Sequence, residues 1–136
     1  MNPLDMLKAL GDETRLRIIN LLMENELCVC ELETILLVSQ PNISRHLQKL
    51  KQSGLITSKR DGQWIHYLID PGISKDTKAL LESLIVLLEE FGGLYQRDRE
   101  RFSAYNKYGY NCRHLTEKKE TVLENLKKSL QHEEIK

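Results

Sequence analysis

At 136 residues, 40% apolar and 29% charged, the chain has the composition of an ordinary globular protein and room for one domain plus an extension. No apolar run approaches the ~18 residues a membrane span needs, and the start lacks the basic region, apolar core and cleavage site of a signal peptide, so a cytoplasmic protein with no membrane partner is expected. Lys plus Arg equals Asp plus Glu at 20 each, so no global field announces a nucleic-acid partner, and the three cysteines are expected to stay reduced rather than build a disulfide framework.

The predicted elements are mostly helical. Leu4, Leu7 and Leu10 form a short apolar stripe ending at Gly11. Asp12 can cap a second helix whose inward face is Leu16, Ile19, Leu22 and Met23. Asn25-Glu26 breaks it, and a short helix begins near Cys30, carrying Leu32, Ile35 and Leu36. Ser39 is a good N-cap, and Pro41 is tolerated in a first turn whose amide hydrogens have no helical partner. The helix from Gln40 to Ser53 buries Ile43, Leu47 and Leu50 and stops at Gly54. There the period changes to two: Ile56 to Arg60 and Gln63 to Ile69 flank an Asp61-Gly62 turn. Helix, turn, helix, hairpin predicts a winged helix-turn-helix, mainly α with a small β-hairpin wing. After Pro71-Gly72 comes a strongly apolar helix with Leu80, Leu84, Leu87 and Phe91 on one stripe and Leu81 and Leu88 beside it, more than one small domain covers from one side. That predicts a homodimer. Gly92-Gly93 marks a boundary between a DNA-binding and dimerisation domain, 1–92, and a helical extension, 93–136. Tyr95 to Arg101 reads as a solvated helix, a tyrosine-rich segment runs to Tyr110, and Val122, Leu126 and Leu130 mark a last amphipathic helix.

The charges are unevenly placed. From Ser39 to Tyr67 the bases are Arg45, Lys49, Lys51, Lys59 and Arg60 against a single acid, Asp61, while acids gather earlier at Asp12, Glu13, Glu24, Glu26, Glu31 and Glu33. One basic face follows, suited to double-stranded DNA. With the apolar stripe turned inward, Gln40, Asn42, Ser44, Arg45, His46 and Lys49 lie on or near the open side of the reading helix, with Ser39 at its start. Gln and Asn can pair with adenine, Arg and Lys with guanine, and Ser with base edges or phosphate. His46 is open to two readings, a phosphate contact or a half-buried packing residue. Lys59, Arg60 and Gln63 on the wing suit phosphates or the adjacent minor groove.

Ten residues before this helix stands Glu26-Leu27-Cys28-Val29-Cys30-Glu31-Leu32. Side chains at i and i+2 of an α-helix are about 200° apart, but share a face in an extended strand. Capture of one ion by both thiols is therefore expected to need the segment extended or its helix start unwound. A helix N-terminus would favour thiolate over thiol. Because this helix packs on the reading helix, binding at one should alter the other. The chain offers no cleft-type acid–base set, and CxC is not the oxidoreductase CxxC, so no enzyme is expected.

Leu7-Lys8-Ala9-Leu10-Gly11-Asp12-Glu13-Thr14-Arg15 resembles the opening signature of the ArsR/SmtB family of metal-responsive repressors. The CxC segment resembles that family's metal-binding box, Ser39 through Leu55 its recognition helix, and Asp61-Gly62-Gln63-Trp64-Ile65-His66-Tyr67 its wing. The likeness covers roughly Leu4 to Ile73 and runs closest to the arsenical-resistance repressors. It implies a homodimeric winged helix that holds an operator when metal-free and releases it when an ion binds. In one place the pattern departs: where the arsenical repressors carry a third cysteine, this chain has Glu33. Cys112, in the tail and within reach from the other subunit, is one candidate third ligand, favouring As(III) or Sb(III). Glu33 or Glu31 is the alternative, favouring Cd(II), Pb(II) or Zn(II), since carboxylate is the harder donor. Cys112 could equally be a buried cysteine without a role. The family's second metal site uses Asp, His and Glu on the dimer helix; Lys75 to Phe91 has no histidine, so that site is expected to be absent. The rival reading is a repressor of the same fold that senses oxidants or persulfide through Cys28, Cys30 and Cys112.

Overall fold

The computed structural model describes residues 1–135, with side chains through residue 130. Its elements run α1 (Pro3–Leu10), α2 (Glu13–Leu22), β1 (Leu27–Cys28), α3 (Val29–Leu36), α4 (Gln40–Gln52), β2 (Ile56–Asp61), β3 (Trp64–Ile69), α5 (Lys75–Phe91), α6 (Leu94–Lys107) and α7 (Cys112–Ile135). This is a winged helix-turn-helix, mainly helical, with a three-stranded antiparallel wing in the order β1-β3-β2.

Local chemistry sets most boundaries. Asn2 and Asp12 cap α1 and α2 by accepting the backbone N–H of Leu4 and Arg15. Pro41 sits in the first turn of α4. Ser39 occupies its N-cap without a side-chain bond, so here the proline, not the serine, supplies the start. Gly62, at φ +62, makes the hairpin turn that a side chain would strain. Leu37 ends α3 in the left-handed region at φ 56, an uncommon place for a branched, exposed residue.

The wing has one strand more than the alternating pattern foretold. Leu27 and Cys28 pair with Tyr67 and His66, fixing the CxC segment to the central strand. A two-residue strand is too short to show period in sequence. The inward face of α1 is Met6, Ala9 and Leu10, with Leu4 and Leu7 outside; that of α2 is wider than one stripe, spanning Arg17 through Leu22.

The extension shares the core. Ala104, Tyr105, Leu115, Val122 and Leu126 join the buried cluster of Ile18, Ile19, Leu32, Ile35, Ile43, Leu47 and Leu50. Helix α6 packs on α2, α3 and α5, and α7, kinked at Lys118, packs on α3 and α6. The stretch expected to be a solvated helix therefore has a packed side: Asp98 is 1% exposed. Conversely α5 turns Leu81, Ile85 and Leu88 inward but leaves Leu80, Val86, Leu87 and Phe91 exposed.

Candidate functional site

The geometry of the reading head follows from α4's apolar stripe. Ile43, Leu47 and Leu50 are fully buried. That leaves Ser39, Gln40, Asn42, Ser44, Arg45 and Lys49 exposed together, with Arg45 donating to Asn42 Oδ1 at 3.0 Å. Lys59, Arg60 and Gln63 are exposed at the hairpin tip. Lys59 also reaches Glu26 at 2.6 Å, which ties the tip to the loop before β1. His46 is the exception. It is 9% exposed, with Nδ1 accepting from Arg15 at 3.2 Å and 3.8 Å from Asp12. Of the two readings open for it, the structure favours packing. Burial and the Arg15 guanidinium hold its pKa below the ordinary value although Asp12 pulls the other way. Asp12 stays below the usual carboxylate range: burial opposes this, but the Arg15 N–H and the His46 ring outweigh it.

The thiol site lies at the junction of β1 and α3. Cys28 is the N-cap of α3, with extended φ −88 and ψ 168, and Cys30 stands in the first turn. One residue of strand followed by one turn of helix brings the two sulfurs to 2.8 Å. The extended backbone at Cys28 meets the first of the two conditions that helix geometry set, so the sulfurs meet without unwinding of α3. The third sulfur arrives from the start of α7: Cys112 of the same chain pairs with Cys28 as a disulfide across 84 residues. The expectation of three separate thiols is corrected on this point. Cys28 and Cys112 are 3% and 4% exposed. Cys30 is free. Its thiol is pushed up by burial and by the Glu31 and Glu33 carboxylates, which outweigh the helix-terminal N–H groups expected to lower it. The three sulfurs lie within 4.8 Å of one another.

Glu33, the alternative ligand, is taken by Lys119 at 2.8 Å and stands outside the sulfur cluster. Glu31 is inside. Its Oε1 accepts the Cys28 N–H at 3.1 Å and lies 3.4 Å from the Cys112 sulfur, and its Oε2 accepts the Tyr105 hydroxyl at 2.6 Å. Burial and the adjacent Glu31 charge push the Tyr105 phenol far above its usual range, so it remains a donor. An N-cap residue followed three positions later by Glu is a readable capping signal; nothing in a run of tyrosines singles out Tyr105.

The far end of α3 is gripped as well. Arg17 donates to Leu36 O at 2.6 Å, and Arg101 donates to Ile35 O at 2.7 Å and Thr34 O at 2.8 Å. Asp98 accepts from Arg17 at 2.8 and 3.0 Å. These guanidinium groups satisfy the carbonyls that a helix C-terminus leaves unpaired. Thus α3, which packs on the reading helix, is held at its first turn by α7 and α6 and at its last by α2 and α6.

The bacterial regulatory protein family arsR matches residues 12–58. The arsenic resistance transcriptional regulator ArsR1 of Pseudomonas putida is 39% identical over 92 residues, 67% of this chain and 72% of that protein. The chain belongs to the ArsR family. It is thus a DNA-binding transcriptional regulator, not an enzyme. The arsenical resistance operon repressor of Escherichia coli is 53% identical to it over 72 residues, 52% of this chain and 62% of that repressor, so the match spans less than two thirds of the latter. Among solved structures, the homodimeric winged helix-turn-helix domain of Mb0332 from Mycobacterium bovis is similar at a TM-score of 0.56 and 30% identity, covering 65% of this chain and 79% of that one. In this ArsR-family chain the third cysteine thus lies well outside the residues that the family description matches.

Proposed function

We propose that this ArsR-family regulator is a homodimeric, cytoplasmic repressor that holds double-stranded operator DNA and releases it when a thiophilic ion binds Cys28, Cys30 and Cys112. The single observation that carries this reading is the convergence of three sulfurs from β1, α3 and α7. Three thiolates and no carboxylate in the set suit As(III) or Sb(III); Cd(II), Pb(II) and Zn(II), which also accept thiolate, are the alternatives. Arsenite exchanges its three hydroxides for three thiols, with loss of three waters. On the DNA side, Gln40, Asn42, Ser44, Arg45 and Lys49 read the major groove, and Ser39, Lys59, Arg60 and Gln63 hold backbone. The exposed apolar residues of α5, and the homodimer formed by the Mycobacterium bovis relative, support the dimer.

A hundredfold loss of operator affinity requires about 2.8 kcal/mol of coupling. Thiolate sites bind zinc with roughly 10–16 kcal/mol, so only a fraction must discriminate between the two states. The test is anisotropy of labelled promoter DNA, with reduced protein titrated with arsenite. Cys→Ser at 28, 30 or 112 is expected to abolish release at arsenite levels that free the native complex, and Arg45→Ala to weaken DNA binding by at least ~1 kcal/mol. A Cys112→Ser protein that responds like the native one removes that ligand from the proposal.

One observation favours a second reading. Cys28 and Cys112 already form a disulfide, so an oxidant could act directly: two thiols lose two electrons to form it, and peroxide is reduced to two waters. Cys30→Ser separates the two. It loses the arsenite response in the first case and keeps a peroxide response in the second.

A further inference from the structure

A second donor set shares Cys112 with the thiol cluster. A carboxylate oxygen of Glu31, a ring nitrogen of His66 and the Cys112 sulfur all lie within 4.8 Å of one another. They come from three elements, α3, β3 and α7, that only the tertiary fold brings together. His66 stands opposite Cys28 in the β1–β3 register, so its place is fixed by backbone hydrogen bonds rather than by a loop. Glu31 is 6% exposed and anchored by the Cys28 N–H and the Tyr105 hydroxyl. A carboxylate offers about four lone-pair positions, so these two bonds leave room for an ion. Such outer bonds aim a ligand and are part of a working site. An open pocket of about 430 Å³, lined by Glu26, Lys59, Arg60, Asp61 and His66, reaches the histidine from solvent.

We propose that, with the Cys28–Cys112 disulfide reduced, Glu31, His66 and Cys112 form a mixed oxygen, nitrogen and sulfur site for a borderline divalent cation, Zn(II) in the first place. One donor of each kind is the chemistry zinc accepts, with water in the fourth position, whereas As(III) prefers the all-sulfur set. The two sets cannot be filled together, because both need the Cys112 thiolate. Zinc would lash the wing to α3 and α7, and arsenite would have to displace it. This antagonism rests on the function proposed above; the zinc site itself does not.

The experiment uses the full-length reduced chain. Zinc affinity is measured by competition with a chromophoric chelator for the native protein, His66→Gln, Cys112→Ser and Cys30→Ser, each checked for native circular dichroism. Loss of one ligand is expected to weaken zinc by roughly tenfold or more in His66→Gln and Cys112→Ser, while Cys30→Ser stays within a few-fold of native. Zinc K-edge absorption of the native complex, which needs no variant, should count one sulfur and the remainder nitrogen and oxygen. Native-like zinc binding by His66→Gln, or a count of three sulfurs, overturns the site. The thiol proposal is scored separately: His66→Gln should release DNA with arsenite as the native chain does, and zinc should raise the arsenite needed for release from native protein. If arsenite fails to release native DNA while zinc binding depends on His66, the repressor reading falls and the zinc site stands.

Discussion

His46 carries its Nδ1 3.2 Å from an Arg15 nitrogen on the packed side of α4, where its unprotonated nitrogen serves as acceptor. Burial and the neighbouring guanidinium lower its pKa in the folded state, Asp12 notwithstanding. Since unfolding restores the ordinary value near 6.5, the unfolded chain binds more protons below that pH. The contribution is thus complete above about 6.5 and is lost as pH falls through the depressed folded value. Urea midpoints measured from pH 7 down to 5 should decline, and His46→Gln should flatten that slope. An unchanged slope would mean that His46 titrates as if free. The histidine was legible as one of two possibilities, because position 46 follows the buried Ile43 by three and so sits at the edge of the apolar stripe. The sequence could not choose between them: the deciding partners, Asp12 and Arg15, come from the start of α2, Arg15 standing 31 residues earlier.

At the scale of elements, α3 is the connector. Its first turn bears Cys30 and Glu31, and its last turn offers carbonyls to Arg17 and Arg101. Asp98 balances those cations, and burial raises its pKa even though Arg17 opposes the shift. Burial also lowers that of Arg101. The side chains of Asp98 and Arg17 are 2% and 10% exposed. Asp98→Asn keeps the shape but strands buried positive charge, so a loss of about 3–5 kcal/mol is expected in equilibrium unfolding. Lys119→Ala, which breaks the more exposed pair with Glu33, should cost under ~1 kcal/mol. Equal costs would refute the assignment of Asp98 as the anchor. Helix order and the hairpin were legible because capping residues, Gly54 and Asp61-Gly62 punctuate a clear change of period. The clasp was not: Arg17 lies on a helix that looks amphipathic, and Asp98 sits in a run of charges indistinguishable from a solvated face until α6 is docked.

For the whole molecule, the exposed face of α5 is decisive. Leu87 and Phe91 are 60% and 79% exposed, more apolar surface than an isolated monomer usually leaves in water. Sedimentation of a Leu87→Glu, Phe91→Glu chain should give the monomer mass, with operator affinity falling because two half-sites are no longer bound together. A double variant that stays dimeric would place the interface elsewhere. This surface was legible, since a stripe too wide for one core is visible in the spacing of leucines. The meeting of Cys112 with Cys28 and Cys30 was foreseeable only by elimination, as the last soft donor in the chain. No local pattern states which subunit supplies it.

Cys112 enters 84 positions after Cys28, and that distance orders events on the ribosome. The segment that grips DNA is complete before the last sulfur has been translated. A premature stop between 93 and 111 would also strip Leu115, Val122 and Leu126 from the core, and so should cost the fold itself. On the function proposed above, a missense change at Cys112, which keeps those helices, is the allele expected to act as a dominant super-repressor when paired with an intact copy.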